Sequence, residues 1–150
     1  MNFDFSSLHF ETIDANVNAH PDMYINLNGV TFTKRVAEYL GYPAYVLCLY
    51  DAKANVFAIR MCKSNEPKGF KFSKPKAEQK GVVTIGNKNL LDPLRRAIHT
   101  ELLPGKRFKI RGFWVAEEKT MCFDLNEGAL EEFRFSGSDE APAFEEKVTE

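Results

Sequence analysis

The chain has 150 residues, 44% hydrophobic and 27% charged, with a formal net charge of -1. That length predicts one domain, or two very small units sharing a core, and that apolar fraction excludes a disordered chain. The near-zero charge does not exclude nucleic acid, because residues 21–113 carry 17 Lys/Arg against 7 Asp/Glu, while residues 1–20 net -3 and residues 114–150 net -8.

Residues 1–20 are polar apart from aromatics such as Phe3, Phe5 and Phe10, which predicts an N-terminal arm that packs late. Residues 24–27 alternate, Asn28-Gly29 signals a turn, and residues 30–32 extend as a second short strand. Thr33 is placed to cap a helix over 34–40, with Val36, Tyr39 and Leu40 at helical spacing and Gly41 as its stop. Residues 45–50 and 56–61 are β-rich runs joined by five turn-like residues, a predicted hairpin. Residues 63–80 hold six lysines, two prolines and a glycine, the composition of a basic linker. The order then returns. A strand is predicted at 82–85. A helix capped by Asn87 or Asn89 is predicted to run to about Leu103, with Asp92 as a possible true start because of Pro93. A strand over 108–115, a turn at 116–119 and a return strand over 120–125 complete the pattern. The acidic remainder predicts a short ordered arm with a frayed end.

This succession predicts an α+β fold of two pseudo-repeats, strand–helix–β-hairpin, around a shared core. The divisions are an arm 1–20, a first repeat 21–62, a basic linker 63–80, a second repeat 81–126 and an acidic arm 127–150. Neither repeat is large enough to bury a sufficient core alone.

The stretch from Ile25 to Met61, with its Asn28-Gly29 turn, its helix at 34–40, the Leu40-Gly41 stop and the following hairpin, resembles the AbrB-type swapped-hairpin family of prokaryotic DNA-binding regulators. Two such units in tandem are similar to the MraZ arrangement. The resemblance implies a DNA-binding regulator. It covers the first repeat well and the second loosely. Val30 stands where the family usually has a basic residue, Thr33 where proline is common, and Phe32 where a smaller aliphatic residue is frequent.

Phosphates require dense, outward-reaching positive charge. The candidate contacts are Lys34, Arg35, Lys71, Lys74, Lys76, Arg95, Arg96, Arg107, Lys109 and Arg111. Lys34-Arg35 and Arg95-Arg96 are read as repeat-equivalent basic pairs, as two half-sites require. The acidic tail is expected to mimic nucleic acid and cover this face when DNA is absent. Three F-x-F doublets place both rings on one side of a strand. Phe70 and Phe72, set among lysines, are candidates for partner binding, for base stacking, or for pinning the linker to the core.

The three cysteines are an odd number without a C-x-x-C pair, which predicts reduced thiols in the cytoplasm. Residues 1–20 lack a secretory pattern, and no apolar run approaches the ~18 residues of a membrane span. No P-loop, G-x-G-x-x-G, nucleophile elbow or metal-ligand spacing occurs, so neither an enzyme nor a cofactor is expected. The leading expectation is a non-enzymatic protein binding duplex DNA, as a monomer or homodimer. The alternatives are a mobile-element protein that binds and inhibits a host defence protein, and a small-ligand binder.

Overall fold

The computed structural model describes residues 5–9 and 20–132. Phe3, Phe10, Phe133, Phe135 and the acidic tail from residue 133 lie outside them, so the expectations for the two arms fall largely there.

Among the described residues the chain forms nine strands and two α-helices. In chain order these are β1 (Asp22–Ile25), β2 (Val30–Phe32), α1 (Lys34–Leu40), β3 (Tyr45–Asp51), β4 (Val56–Met61), β5 (Phe70–Lys71), β6 (Val83–Ile85), α2 (Lys88–Ala97), β7 (Lys106–Val115), β8 (Thr120–Asp124) and β9 (Ala129–Glu132). Every strand pair is antiparallel. The path runs β5-β3-β4-β8-β7-β1-β2-β6, with β9 added beside β7, and curls into a near-closed barrel. No helix among the described residues is long and apolar enough to cross a membrane.

The alternation legible in the strands sets which side chains point inward. Met23, Ile25, Val30, Phe32, Phe57, Ile59, Ile110, Met121 and Phe123 are fully buried inside the barrel. Phe123 sits at the centre, its ring 5.9 Å from that of Phe32 and 6.1 Å from that of Phe57. Burying one such ring is worth about 1.5–3 kcal/mol.

Gly41 ends α1 in the left-handed region at φ 84°, where its N–H reaches Glu38 and the next N–H, of Tyr42, reaches Ala37. This double closure is the Schellman arrangement, and glycine meets its backbone requirement without strain. Thr33 occupies the N-cap position but its hydroxyl does not cap α1. It accepts from Asp22 N–H at 3.0 Å and donates to the His20 carbonyl at 2.7 Å, tying the entry of β1 to the exit of β2.

Three sequence expectations are corrected. First, α2 starts at Lys88 behind the expected Asn87 cap and not at Asp92, so Pro93 lies inside it. Asn87 accepts from Asn89 N–H, and Leu90 and Leu91 are anchored in the core, so the helix tolerates the hydrogen bond that Pro93 cannot donate. Second, α2 ends at Ala97, well short of Leu103. Ile98 and Leu102 are still buried, but an irregular path carries them there, since His99 turns left-handed at φ 54°. Third, residues 63–80 are more than a linker. They contain β5, which pairs with β3, and they bury Ser73 and Gln79.

β7 changes partners along its length. Its first half lies between β1 and β9, and its second half pairs with β8. A 3-10 turn, Leu125–Glu127, separates β8 from β9 on the same side of β7. Gly112 stands at the changeover. A Cβ there would lie 2.8 Å from the Phe123 ring, 2.9 Å from Met121 sulfur and 2.9 Å from the Pro21 carbonyl. Gly112→Ala is therefore expected to destabilise the fold by about 2–3 kcal/mol, read as a lower midpoint in urea with an unchanged slope.

All three thiols are free. Cys48 lies on the core side of β3, where burial, reinforced by the neighbouring Cys62, pushes its thiol up to about 12. Near pH 8 only about one molecule in ten thousand then carries the reactive thiolate. Iodoacetamide should leave Cys48 unmodified in the native protein and label it once urea unfolds the chain, as read by peptide mass mapping.

Candidate nucleic-acid interface

The ten candidate cations separate into two groups. Along β7, Phe108 and Ile110 point inward, so Arg107, Lys109 and Arg111 point out on the opposite face. Each of these meets an acid brought by strand pairing. Arg111 is opposite Asp22 in register and its Nε lies 2.5 Å from Asp22 Oδ1. Lys109 Nζ reaches the other Asp22 oxygen at 3.9 Å. Arg107 is opposite Glu131, with Nε 2.6 Å from Oε2, and its guanidinium lies over the Tyr24 ring at 3.8 Å. Lys106 pairs with Glu132. Asp22 is buried, and a buried carboxylate requires such partners. Tyr24 beside it has its phenol raised, mainly by burial and against the pull of Arg107. The β7 cations thus fasten β7 to β1 and β9, and their charge is largely offset.

In the second group one cation has an ion pair among the described residues. Lys34 is exposed at the start of α1 and Arg95 and Arg96 are exposed in the last turn of α2, none with an ion pair among the described residues. The exception is Arg35, whose Nη1 lies 2.7 Å from Glu38 Oε1. Its guanidinium sits over Tyr39 at 4.9 Å, and the Tyr39 ring is 5.4 Å from that of Trp114. The two basic pairs stand at opposite ends of their helices, at the start of α1 and the end of α2. They are therefore not equivalent positions, and Arg95 and Arg96 also suit the negative end of the α2 dipole.

The densest set is on residues 63–80. Lys63, Lys68, Lys71, Lys74, Lys76 and Lys80 are all exposed, and none has an ion pair among the described residues. This segment is a strap held at many points. Phe72 N–H donates to the Ala44 carbonyl at 2.7 Å, and the Ser73 hydroxyl donates to the Pro43 carbonyl at 2.6 Å. Buried Gln79 accepts from Lys74 N–H at 2.8 Å and donates to the carbonyls of Gly81 and Val82. The Phe72 ring meets Phe32 edge-on at 5.4 Å. Phe70 and Phe72 are both half-buried against the core, so they pin the strap rather than face a partner. An open cleft of about 350 Å³ lies between strap and β6, and its charged lining is Lys74 and Lys80 together with the carboxylate Glu78.

No family model, curated protein or solved structure matches the chain.

Reading the sequence for basic residues located every cation but not its neighbours. The Arg35-to-Tyr39 spacing of four on a helix was a usable signal for their contact. Asp22, Trp114 and Gln79 carried none, because their partners are remote in sequence. Among the described residues no three His, Cys, Asp or Glu side chains converge on a possible metal position. What the strap presents is a set of exposed ammonium groups on a backbone held in place by hydrogen bonds.

Proposed function

We propose that this chain is a non-enzymatic, DNA-binding regulatory protein of prokaryotic or phage type, built from two AbrB-like pseudo-repeats, and that the strap lysines carry the binding. One observation carries this reading. The cations of β7 have acids built against them, whereas the six lysines of an anchored strap have none among the described residues. Anchoring lowers the ordering cost that a flexible lysine-rich linker would incur on binding. Lys34, Arg95 and Arg96 likewise have no ion pair among the described residues.

The strand order supports a pseudo-repeat whose second unit begins at β5, inside the segment 63–80 that the sequence reading set apart as a linker. Exchange β1 with β5, β2 with β6, β3 with β7 and β4 with β8. The β3–β4 ladder then becomes β7–β8, the β1–β7 ladder becomes β5–β3, and the β2–β6 and β4–β8 ladders map onto themselves. Only β1–β2 lacks a counterpart in the path, and that counterpart would join β5 to β6 and close the barrel.

The test is a titration of labelled duplex DNA with the full chain over a range of salt. If the six lysines each displace one counterion, log K falls against log salt with a slope of about -5. Failure to bind duplex DNA even at low salt sinks the reading.

A further inference from the structure

The outer face of β3, β4, β8 and β7 carries apolar side chains, exposed at Leu49 and Phe113 and partly exposed at Leu47, Val56, Ala58 and Val115, with Thr120 buried among them. The registers define its rows. Leu49, Ala58, Cys122 and Phe113 lie side by side in one row. On one side of it is the row Leu47, Arg60, Thr120, Val115, and on the other the row Asp51, Val56, Asp124. Leu49 is 38% exposed and Phe113 50% exposed. Arg60 stands in this face with its Nε buried and without a hydrogen-bond partner.

We infer that this face is an isologous interface between two copies of the chain. A two-fold axis lying along the Leu49–Phe113 row turns the second copy over and reverses its strands. Each residue of the central row then faces its own counterpart. The row containing Arg60 is laid over the row containing Asp51, Val56 and Asp124. Arg60 of the second copy comes down above Val56, between two aspartates. The charge is therefore self-complementary, as an isologous contact requires. Asp51 and Asp124 each use one oxygen to hold a turn, accepting from Lys53, Ala54 and Asn126, which leaves the other oxygen for a partner.

The shape agrees. The outside of a barrel is convex, so two such faces touch first at their middle. There the side chains are small, Ala58 and Cys122, while the large ones, Leu49 and Phe113, stand at the two ends where the surfaces diverge. A flat or convex row of large side chains would hold the copies apart. This contact is independent of the DNA reading, since the strap lysines play no part in it.

The test is sedimentation of the full chain, with chemical cross-linking. The wild type should show a concentration-dependent monomer–dimer equilibrium. Phe113→Glu should abolish it while leaving the melting temperature unchanged at dilutions where the wild type is monomeric, since the side chain is half-exposed. Arg60→Glu should weaken dimerisation by at least about tenfold, the effect of some 1.4 kcal/mol. Adding Asp51→Asn and Asp124→Asn, which keep the turn-holding oxygens, should restore part of that loss. Packed sheets lie about 10 Å apart, too far for a direct disulfide, so a short bis-maleimide should join Cys122 to Cys122 of the second copy. Cys122→Ser should remove the cross-link and Cys62→Ser should not. A wild type that stays monomeric at millimolar concentration overturns the inference. So does a dimer that survives Phe113→Glu, or a Phe113→Glu variant whose only defect is in binding DNA or another protein.

Discussion

Replacing Lys71, Lys74 and Lys76 together by alanine is expected to cost most of the affinity for duplex DNA. Three lost phosphate contacts reduce the salt slope by about 2.7, which between 1 M and 0.1 M salt amounts to roughly 500-fold in affinity at the lower concentration. The effect on folding should be small, because all three side chains are exposed and lack an ion pair among the described residues. Exposed substitutions of this kind stay within about 0.5 kcal/mol each. The hydrogen bond from Lys74 to Gln79 uses the backbone and survives truncation. The opposite pattern is expected for Arg111→Ala. That change leaves buried Asp22 with only Lys109 nearby, at 3.9 Å, so it should lower stability and barely alter DNA binding. Measuring the salt slope and the urea midpoint on both variants separates charge that binds from charge that fastens strands. If the triple variant binds DNA as the wild type does, the strap is not the interface.

Phe123→Ala should be the most damaging single truncation. Phe123 is fully buried, lies beside Phe32 and Phe57, and stands opposite Gly112 in the β7–β8 ladder. Removing the ring opens a cavity bounded by two strand ladders that cannot collapse without breaking register. The expected loss is about 3–5 kcal/mol, against a total stability on the order of 5–15 kcal/mol for a domain of this kind. Urea denaturation should show a much lower midpoint, or an unfolded chain at 37 °C by circular dichroism. Phe113→Ala, on the neighbouring strand but facing out, should change the midpoint little in the monomer. A similar loss at both positions would mean that the inward and outward faces are wrongly assigned.

Much of the local structure was legible. The Asn28-Gly29 turn closes with Asn26 N–H on the Gly29 carbonyl at 2.9 Å, and the runs at 45–50 and 56–61 pair as a hairpin. Leu40-Gly41 marks the end of α1, and Asn87 starts α2. Two features misled. Lysine, proline and glycine in 63–80 hid a short strand, because β5 owes its existence to the edge of β3 and not to its own propensity. The apolar stripe from Leu90 to Leu102 suggested one long helix, although burial of Ile98 and Leu102 needs only that the chain pass the core.

The candidate interface was half legible, and the reason is distance along the chain. Composition by itself determined that the body is basic and its ends acidic, and the apolar periodicity determined where most strands and helices form, though not β5, β9 or the end of α2. Those are properties of residues within a few positions of each other. Which cations remain free was decided only by tertiary structure. Arg111 finds its acid 89 residues away, and Arg107 finds its own 24 residues away. Both meetings depend on strand register, and register is set by which faces must be buried in the barrel. The same registers, not any local signal, assemble Leu49, Ala58, Cys122 and Phe113 into one outward row beside Arg60.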